Sequence, residues 1–189
     1  MLLVLLGPPG AGKGTQAELI CKNHNFFHFS TGNILRDEIN NETAIGKKIK
    51  KIINQGKLVS DNIIIKIIDN IITKELSANK GVLLDGFPRN LSQALALNSL
   101  LEKKKHSIVC AIHITIDKKE ILKRIKKRRQ IEGRQDDDIN ILKSRLNVYI
   151  KETKPLIKLY KKEGKISVVN GMQTIDNVNK DINKIILNI

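Results

Sequence analysis

The opening stretch MLLVLLGPPGAGKGT narrows what this chain can fold into more than any other part of it. Residues 2–6 are a continuous apolar run, the pattern of a strand buried on both faces. A glycine-rich loop follows at once, and a helical pattern runs over 14–24. Glycines between a buried strand and a helix let backbone N–H groups converge on phosphate oxygens, and the helix N-terminus adds partial positive charge. Gly7, Gly12 and Lys13 keep the spacing of a phosphate cradle, in which the Lys reaches the outer phosphates. The slot that usually holds Ser or Thr is filled by Gly14, and the hydroxyl arrives one place late at Thr15.

The rest of the chain supplies matching parts. Apolar runs at 26–29, 81–85, 107–116 and 165–169 read as four further strands. Helical patterns cover 60–76, 90–104, 118–130, 138–152, 154–162 and 174–187. STGN at 30–33 opens another helix, capped by Ser30 or Thr31, and Ser60 or Asp61 caps the helix over 60–76. The aliphatic run 63–72 inside that helix reads as core. Alternating strands and helices predict an α/β fold with five parallel strands and helices on both faces. At 189 residues one domain is expected. Two segments leave the sheet: 30–59, with a charged stretch from Asn40 to Lys57, and the polar segment 129–137 around Gly133. Both look placed to cover a site.

Several function classes are disfavoured. Apolar runs fall short of the roughly 18 residues a membrane span needs, and MLLVLL is too short for a signal peptide, so no membrane association is expected. Cys21 and Cys110 lack CxxC partners, which argues against zinc and against a disulfide framework and suits a reduced, cytoplasmic protein. The net charge of +15 invites a nucleic-acid reading. Yet lysine outnumbers arginine 27 to 7, a bias that reads as base-composition drift with lysines solvated on helix faces. Stacking aromatics are scarce too, so no nucleic-acid partner is expected. The four histidines read as structural or solvated, with His113 at a sheet margin.

A phosphate loop calls for Mg²⁺, whose waters need a carboxylate, and Asp85 at the end of GVLLD supplies one. Where lysine has been accepted nearly everywhere, the arginines that remain point to geometry that lysine lacks, a planar fork that grips phosphate bidentately. Arg36 lies in the first excursion, Arg89 just after Asp85, and Arg124, Arg128, Arg129 and Arg134 near the second. Arg145 follows eleven residues beyond Arg134, three helical turns away, so both are expected on one side. So many arginines imply several phosphates, hence two nucleotides.

The motifs GPPGAGKGT (7–15), FSTGNILR (29–36), GKLV (56–59), LLDGFPRNLSQ (83–93), KRIKKRR (123–129), GRQDD (133–137) and KSRL (143–146) make the chain similar to the adenylate kinases along nearly its full length. The resemblance implies a P-loop NTPase-type core (1–29, 60–128, 138–189), a helical NMP-binding arm (30–59) and a short lid (129–137). It implies the reaction ATP + AMP ⇌ 2 ADP, with Mg²⁺, in a monomer. By it Gly10, Ala11, Gly12, Lys13, Gly14 and Thr15 hold ATP phosphates, and Arg124, Arg128 and Gly171 serve the ATP side. Thr31, Arg36, Lys57, Leu58, Val59, Gly86, Phe87, Pro88 and Arg89 frame AMP, and Gln93 reads its adenine. Arg134 and Arg145 clamp AMP and the transferring phosphate, and Asp85 stands behind a magnesium-bound water. Lys13, Arg89, Arg124, Arg134 and Arg145 carry the catalysis. Asn33 departs from the family's usual Asp. The nearest rival, a uridylate/cytidylate kinase, usually has Ala where Thr31 stands and Asn where Gln93 stands. A small-metabolite kinase would lack GFPR followed by Gln93.

Overall fold

The computed structural model describes residues 1–78 and 80–189. Strands β1 (Leu2–Leu6), β2 (Phe26–Ser30), β3 (Gly81–Asp85), β4 (Cys110–Thr115) and β5 (Ile166–Asn170) form a wholly parallel sheet in the order β2-β3-β1-β4-β5. The α/β expectation of five parallel strands therefore holds. Between them run α1 (Lys13–Asn23), α2 (Thr31–Asn40), α3 (Ala44–Asn54), α4 (Asp61–Ser77), α5 (Leu91–Lys103), α6 (Lys118–Glu132), α7 (Ile139–Val148) and α8 (Pro155–Lys162), and α9 (Ile175–Leu187) follows β5.

The two-residue period of a strand sorts β1 between two cores. Leu2, Val4 and Leu6 pack with Ile64, Ile68 and Ile72 of α4, Leu97 of α5 and Leu156 of α8. Leu3 and Leu5 pack with Ala17 and Ile20 of α1 and Ile182 of α9. Helices thus cover both faces, which is why β1 reads as unbroken leucine and valine. The helix over 63–72 is core, as its composition predicts.

Register sets where the site falls. Leu5 pairs with Asp85, and Ser30 pairs with Asp85 from the other side. The carboxyl ends of β1, β3 and β2 therefore finish together, and their loops open into one crevice, the usual ligand position in an open parallel sheet.

Several boundaries differ from the sequence reading. β4 begins at Cys110 rather than 107: Leu3 faces Cys110, and ahead of it only the Val109 N–H reaches β1, donating to the Leu2 carbonyl at 2.9 Å. Ile108, which extended the apolar run, is buried without joining the ladder. The charged stretch 40–57 holds α3, capped by Thr43, whose Oγ1 accepts from the Gly46 N–H at 2.9 Å. The helix predicted over 138–152 ends as α7 at Val148 and passes into a π-helical turn, Tyr149–Thr153, closed by the Lys154 N–H donating to the Tyr149 carbonyl at 2.8 Å. Pro155 accounts for the widening: with no N–H and a ring that collides with the carbonyl four residues back, it cannot continue a regular helix. His113 lies on an interior strand, not at a sheet margin; its Nε2 is 3.2 Å from the Tyr149 hydroxyl.

Candidate active site

The loop after β1 enters α1 through Gly12, whose φ of 91° is open to glycine at little cost. Lys13 turns back over the loop, and its Nζ donates to the carbonyls of Gly7 (2.8 Å) and Pro8 (3.1 Å). A cavity of about 340 Å³ spreads from this loop. It is lined by Gly10, Ala11, Gly12, Lys13, Gly14, Thr15, Thr31, Arg36, Lys57, Leu58, Val59, Asp85, Gly86, Phe87, Arg89, Gln93, Arg128, Arg134 and Arg145.

Each wall has a local cause. Ser30 caps α2 by accepting from the Asn33 N–H at 3.4 Å, which frees Thr31 to donate to the Gly86 carbonyl at 2.7 Å. Gly86 is required there: at φ 77° a Cβ would stand 2.7 Å from Thr31 Oγ1 and 3.0 Å from Arg89 Nη2. Arg89 Nε donates to the same Gly86 carbonyl at 2.7 Å, and the Arg89 carbonyl accepts from Thr153 Oγ1 at 2.7 Å. The π-helical turn thus holds the backbone of a cavity-lining arginine.

The cations repel one another. Burial, with the Arg89, Arg145 and Arg128 charges, brings the Lys13 ammonium down to about 8 against the pull of Asp85. Burial and Arg145 bring Arg89 down to about 10. Burial and then Arg134 lower Arg36, whose Nη2 donates to Asn33 Oδ1 at 2.5 Å. Burial also lowers Arg145, although Asp136 opposes it. For Arg128 burial acts in the same sense, but the fork it makes with Asp137 outweighs that and raises it. Burial alone would raise the Asp85 carboxyl, yet His28 and Lys13 hold it below the usual carboxylate range.

The arrangement of Arg134 and Arg145 differs from its prediction. They do not share a helix: α6 stops at Glu132, Gly133 takes φ 61°, and Arg134 precedes a 3₁₀ turn, Gln135–Asp137. The turn, not helical spacing, brings both arginines to the cavity. Arg145 Nη1 donates to Asp136 Oδ2 at 2.8 Å, Arg134 Nε to Glu132 Oε2 at 2.5 Å, and Arg128 Nε to Asp137 Oδ2 at 2.7 Å.

Several predicted positions stand apart from this cavity. Arg124 donates through Nη2 to the Gly171 carbonyl at 2.8 Å and through Nε to Glu120 at 2.9 Å. Arg124 and Gly171 lie on the outer side of the loop, since a Cβ on Gly12 would come within 3.8 Å of Arg124 Nη1 and one on Gly171 within 3.5 Å of the Ala11 carbonyl. Pro88 lines a smaller neighbouring cavity with Tyr149 and Thr153. Arg129 is half exposed, 3.5 Å from Asp138.

Other residues of the site were not singled out from the sequence. Asp136 and Asp137 hold Arg145 and Arg128; the signal was present in GRQDD, where two carboxylates closely follow an arginine. Asp61 is no cap by side chain: Ser60 takes that position, and the Asp61 carboxylate reaches α5. His28 lines the cavity, its Nε2 3.5 Å from Asp85 Oδ2. Nothing in FFHFS distinguishes it from a structural histidine. Among the described residues, no three His, Cys, Asp or Glu side chains gather at metal-binding distance.

A family model described as adenylate kinase matches residues 5–165. An adenylate kinase of a Prochlorococcus marinus strain is 45% identical over 180 residues, 95% of each chain. One from Parabacteroides distasonis is 40% identical over 176 residues, covering 93% of this chain and 92% of its own. One from Chloroherpeton thalassium is 37% identical over an alignment of 213 positions that covers 98% of each chain.

Proposed function

The chain belongs to the adenylate kinase family and transfers a phosphoryl group between adenine nucleotides, and from that footing we propose how its own residues divide the work between ATP and AMP. Residues 10–15 cradle the ATP phosphates, Lys13 meeting the outer ones. Arg124 and Arg128 serve the ATP side, and the Gly171 backbone passes close to the ATP adenine. Thr31, Arg36, Lys57, Leu58, Val59, Gly86, Phe87, Pro88 and Arg89 frame AMP, Gln93 meets its base, and Arg134 and Arg145 clamp the phosphates between the two. The segment 30–59 is the AMP-binding arm and 129–137 the lid.

One observation carries this reading. Lys13, Arg36, Arg89 and Arg145 face one cavity, and burial together with neighbouring cations lowers the proton affinity of each. Such a cluster suits a polyanion rather than a neutral ligand. The two tails together supply it. Aligning an AMP oxygen with the γ-phosphorus needs position rather than covalent chemistry, and forked cations neutralise the charge spread over the equatorial oxygens. Closing arm and lid would keep water from competing as acceptor.

Mg²⁺ suits this cavity. Asp85 is held ionised beside the loop, and a Cβ on Gly14 would lie 3.9 Å from its Oδ2. The ion would be held by phosphates and water with Asp85 behind a water, and when bound it neutralises charge on the transferring group. A site complete within one chain suits a monomer, and the free Cys21 and Cys110 suit a reducing cytoplasm. No helix among the described residues is long and apolar enough to cross a membrane.

NDP formation with ATP and GTP as donors and AMP, CMP and UMP as acceptors tests the substrate assignment. ATP with AMP is expected to be fastest; CMP outrunning AMP would overturn it.

Lys13 gives a prediction in pH. Its folded value of about 8 lies below the ordinary 10.5, so between the two the unfolded chain binds more protons. Lys13 therefore destabilises the ligand-free fold below pH 8, and that cost is relieved as pH rises toward 10.5. A polyphosphate favours the charged ammonium, so ATP binding at about pH 8.5 is expected to take up a fraction of a proton, and binding at about pH 6.5 none through this group. Calorimetry in buffers of different ionisation enthalpy reads the difference; equal uptake at both pH values would contradict it.

A further inference from the structure

We propose that Asp61 is a positioning residue that locks the amide of Gln93 in one orientation and thereby sets the preference for adenine over a 6-oxopurine base. The proposal rests on the reading of Gln93 against the AMP base.

Gln93 is almost fully buried and lines the cavity. Its Oε1 accepts from the Arg89 backbone N–H at 2.8 Å, and its Nε2 donates to Asp61 Oδ1 at 2.7 Å. A backbone N–H only donates and a carboxylate only accepts, so these partners leave the amide a single orientation. Turned over, the NH₂ would face an N–H and the oxygen would face a carboxylate. Asp61 is itself held: Ser92 Oγ bonds its Oδ2, and Asn90 Oδ1 fixes the start of α5 by accepting from the Gln93 N–H at 2.7 Å. Asp61 stands at the first residue of α4, does not line the cavity, and reaches the site through Gln93.

An amide carries two N–H groups and two acceptor lone pairs. Arg89 and Asp61 take one of each, so one donor and one acceptor remain in a fixed left–right order. Adenine presents its 6-amino donor beside a ring acceptor, which such a pair matches. A 6-oxopurine presents an acceptor at position 6 beside the N1–H donor, and only the turned amide would match it. Selectivity between the two bases therefore depends on what prevents the turn. The Arg89 N–H supplies part of that restraint, and the charged acceptor Asp61 supplies the stronger part, since hydrogen bonds to ionised groups exceed neutral ones.

The test compares kcat/KM for AMP and for inosine 5′-monophosphate, with ATP as donor, in wild type, Asp61→Leu and Gln93→Ala. In Asp61→Leu the AMP-to-IMP ratio is expected to fall by roughly tenfold or more, from both a higher KM for AMP and a gain in activity toward IMP, while KM for ATP stays put. General damage to the fold would lower both acceptors and could not raise IMP. Should thermal melting show Asp61→Leu unfolded, Asp61→Ala removes the same acceptor and carries the same expectation. An unchanged ratio at Asp61 with a collapsed ratio in Gln93→Ala overturns the role of Asp61 alone. A ratio unchanged in both overturns the reading of Gln93, and this proposal with it.

Discussion

Lysine in place of Arg89 lowers kcat at least tenfold, and alanine lowers it by roughly 10²–10³, the scale of removing one preorganised donor from a charge-stabilising site. Arg89 is held at three points: its N–H by Gln93, its carbonyl by Thr153, and its Nε by the Gly86 carbonyl. With Nε so anchored, the outer nitrogens remain to face the cavity as a fork. A lysine could not satisfy the Gly86 carbonyl and also offer two parallel donors to phosphate. Charge is a second difference. In this cavity burial and neighbouring cations bring an arginine to about 10 and a lysine, Lys13, to about 8. A second lysine, buried among the same cations, would hold its proton less firmly than arginine does. Steady-state kinetics of the purified variants check this, and wild-type turnover in Arg89→Lys would show that the fork is irrelevant.

Alanine at Gly46 is expected to cost about 2–3 kcal/mol of stability, the upper range for forcing an atom into a filled contact, and to raise KM for AMP tenfold or more with KM for ATP little changed. A Cβ on Gly46 would lie 1.9 Å from the Glu38 carbonyl oxygen and 2.9 Å from the Ile39 nitrogen. These are backbone atoms of α2, so no rotamer can move them aside. The helices α2 and α3 would have to separate, though Leu35 and Ile49 on them belong to the same buried core. Because α2 carries Thr31 and Arg36 and α3 leads into residues 56–59, the damage falls on the side proposed for AMP. Gly164→Ala is the control, since a Cβ there meets nothing within 4 Å and only its φ of 67° is strained. Thermal melting and the two KM values decide; an unchanged melting temperature and an unchanged KM for AMP in Gly46→Ala would refute it.

The sheet and the phosphate loop were legible because their causes are local. A strand buried on both faces must be apolar along its length, and LLVLL and GVLLD nearly are. A loop approached by phosphate must be glycine-rich, and Gly12 and Gly86 occupy the left-handed backbone that only glycine adopts at little cost. The features misread depend on packing between elements or on how one helix hands over to the next. α3 is lysine-rich, and its place in the fold rests on Gly46 meeting Glu38 and Ile39 of α2, a close approach that its own helical pattern does not announce. The break at Tyr149–Thr153 follows from Pro155, which reads equally well as the first residue of a fresh helix. Arg134 and Arg145 reach one cavity through a turn of GRQDD rather than by helical spacing. Asp61 and Gln93, 32 positions apart, meet only because α4 packs beside α5. His28 becomes part of the site only through the pairing of β2 with β3, which sets its ring near Asp85.

On the division of work proposed above, the glycine loop and six arginines gather around the joined phosphates of two nucleotides. A crystal structure with two adenosines linked through a polyphosphate bridge tests it most directly. Arg36, Arg89, Arg124, Arg128, Arg134 and Arg145 are expected to turn toward the bound molecule, with Arg128 and Arg145 loosened from Asp137 and Asp136, Lys13 on the bridge, and the segments 30–59 and 129–137 closed over it. Those side chains left on their present partners, with the bridge in solvent, would contradict the account.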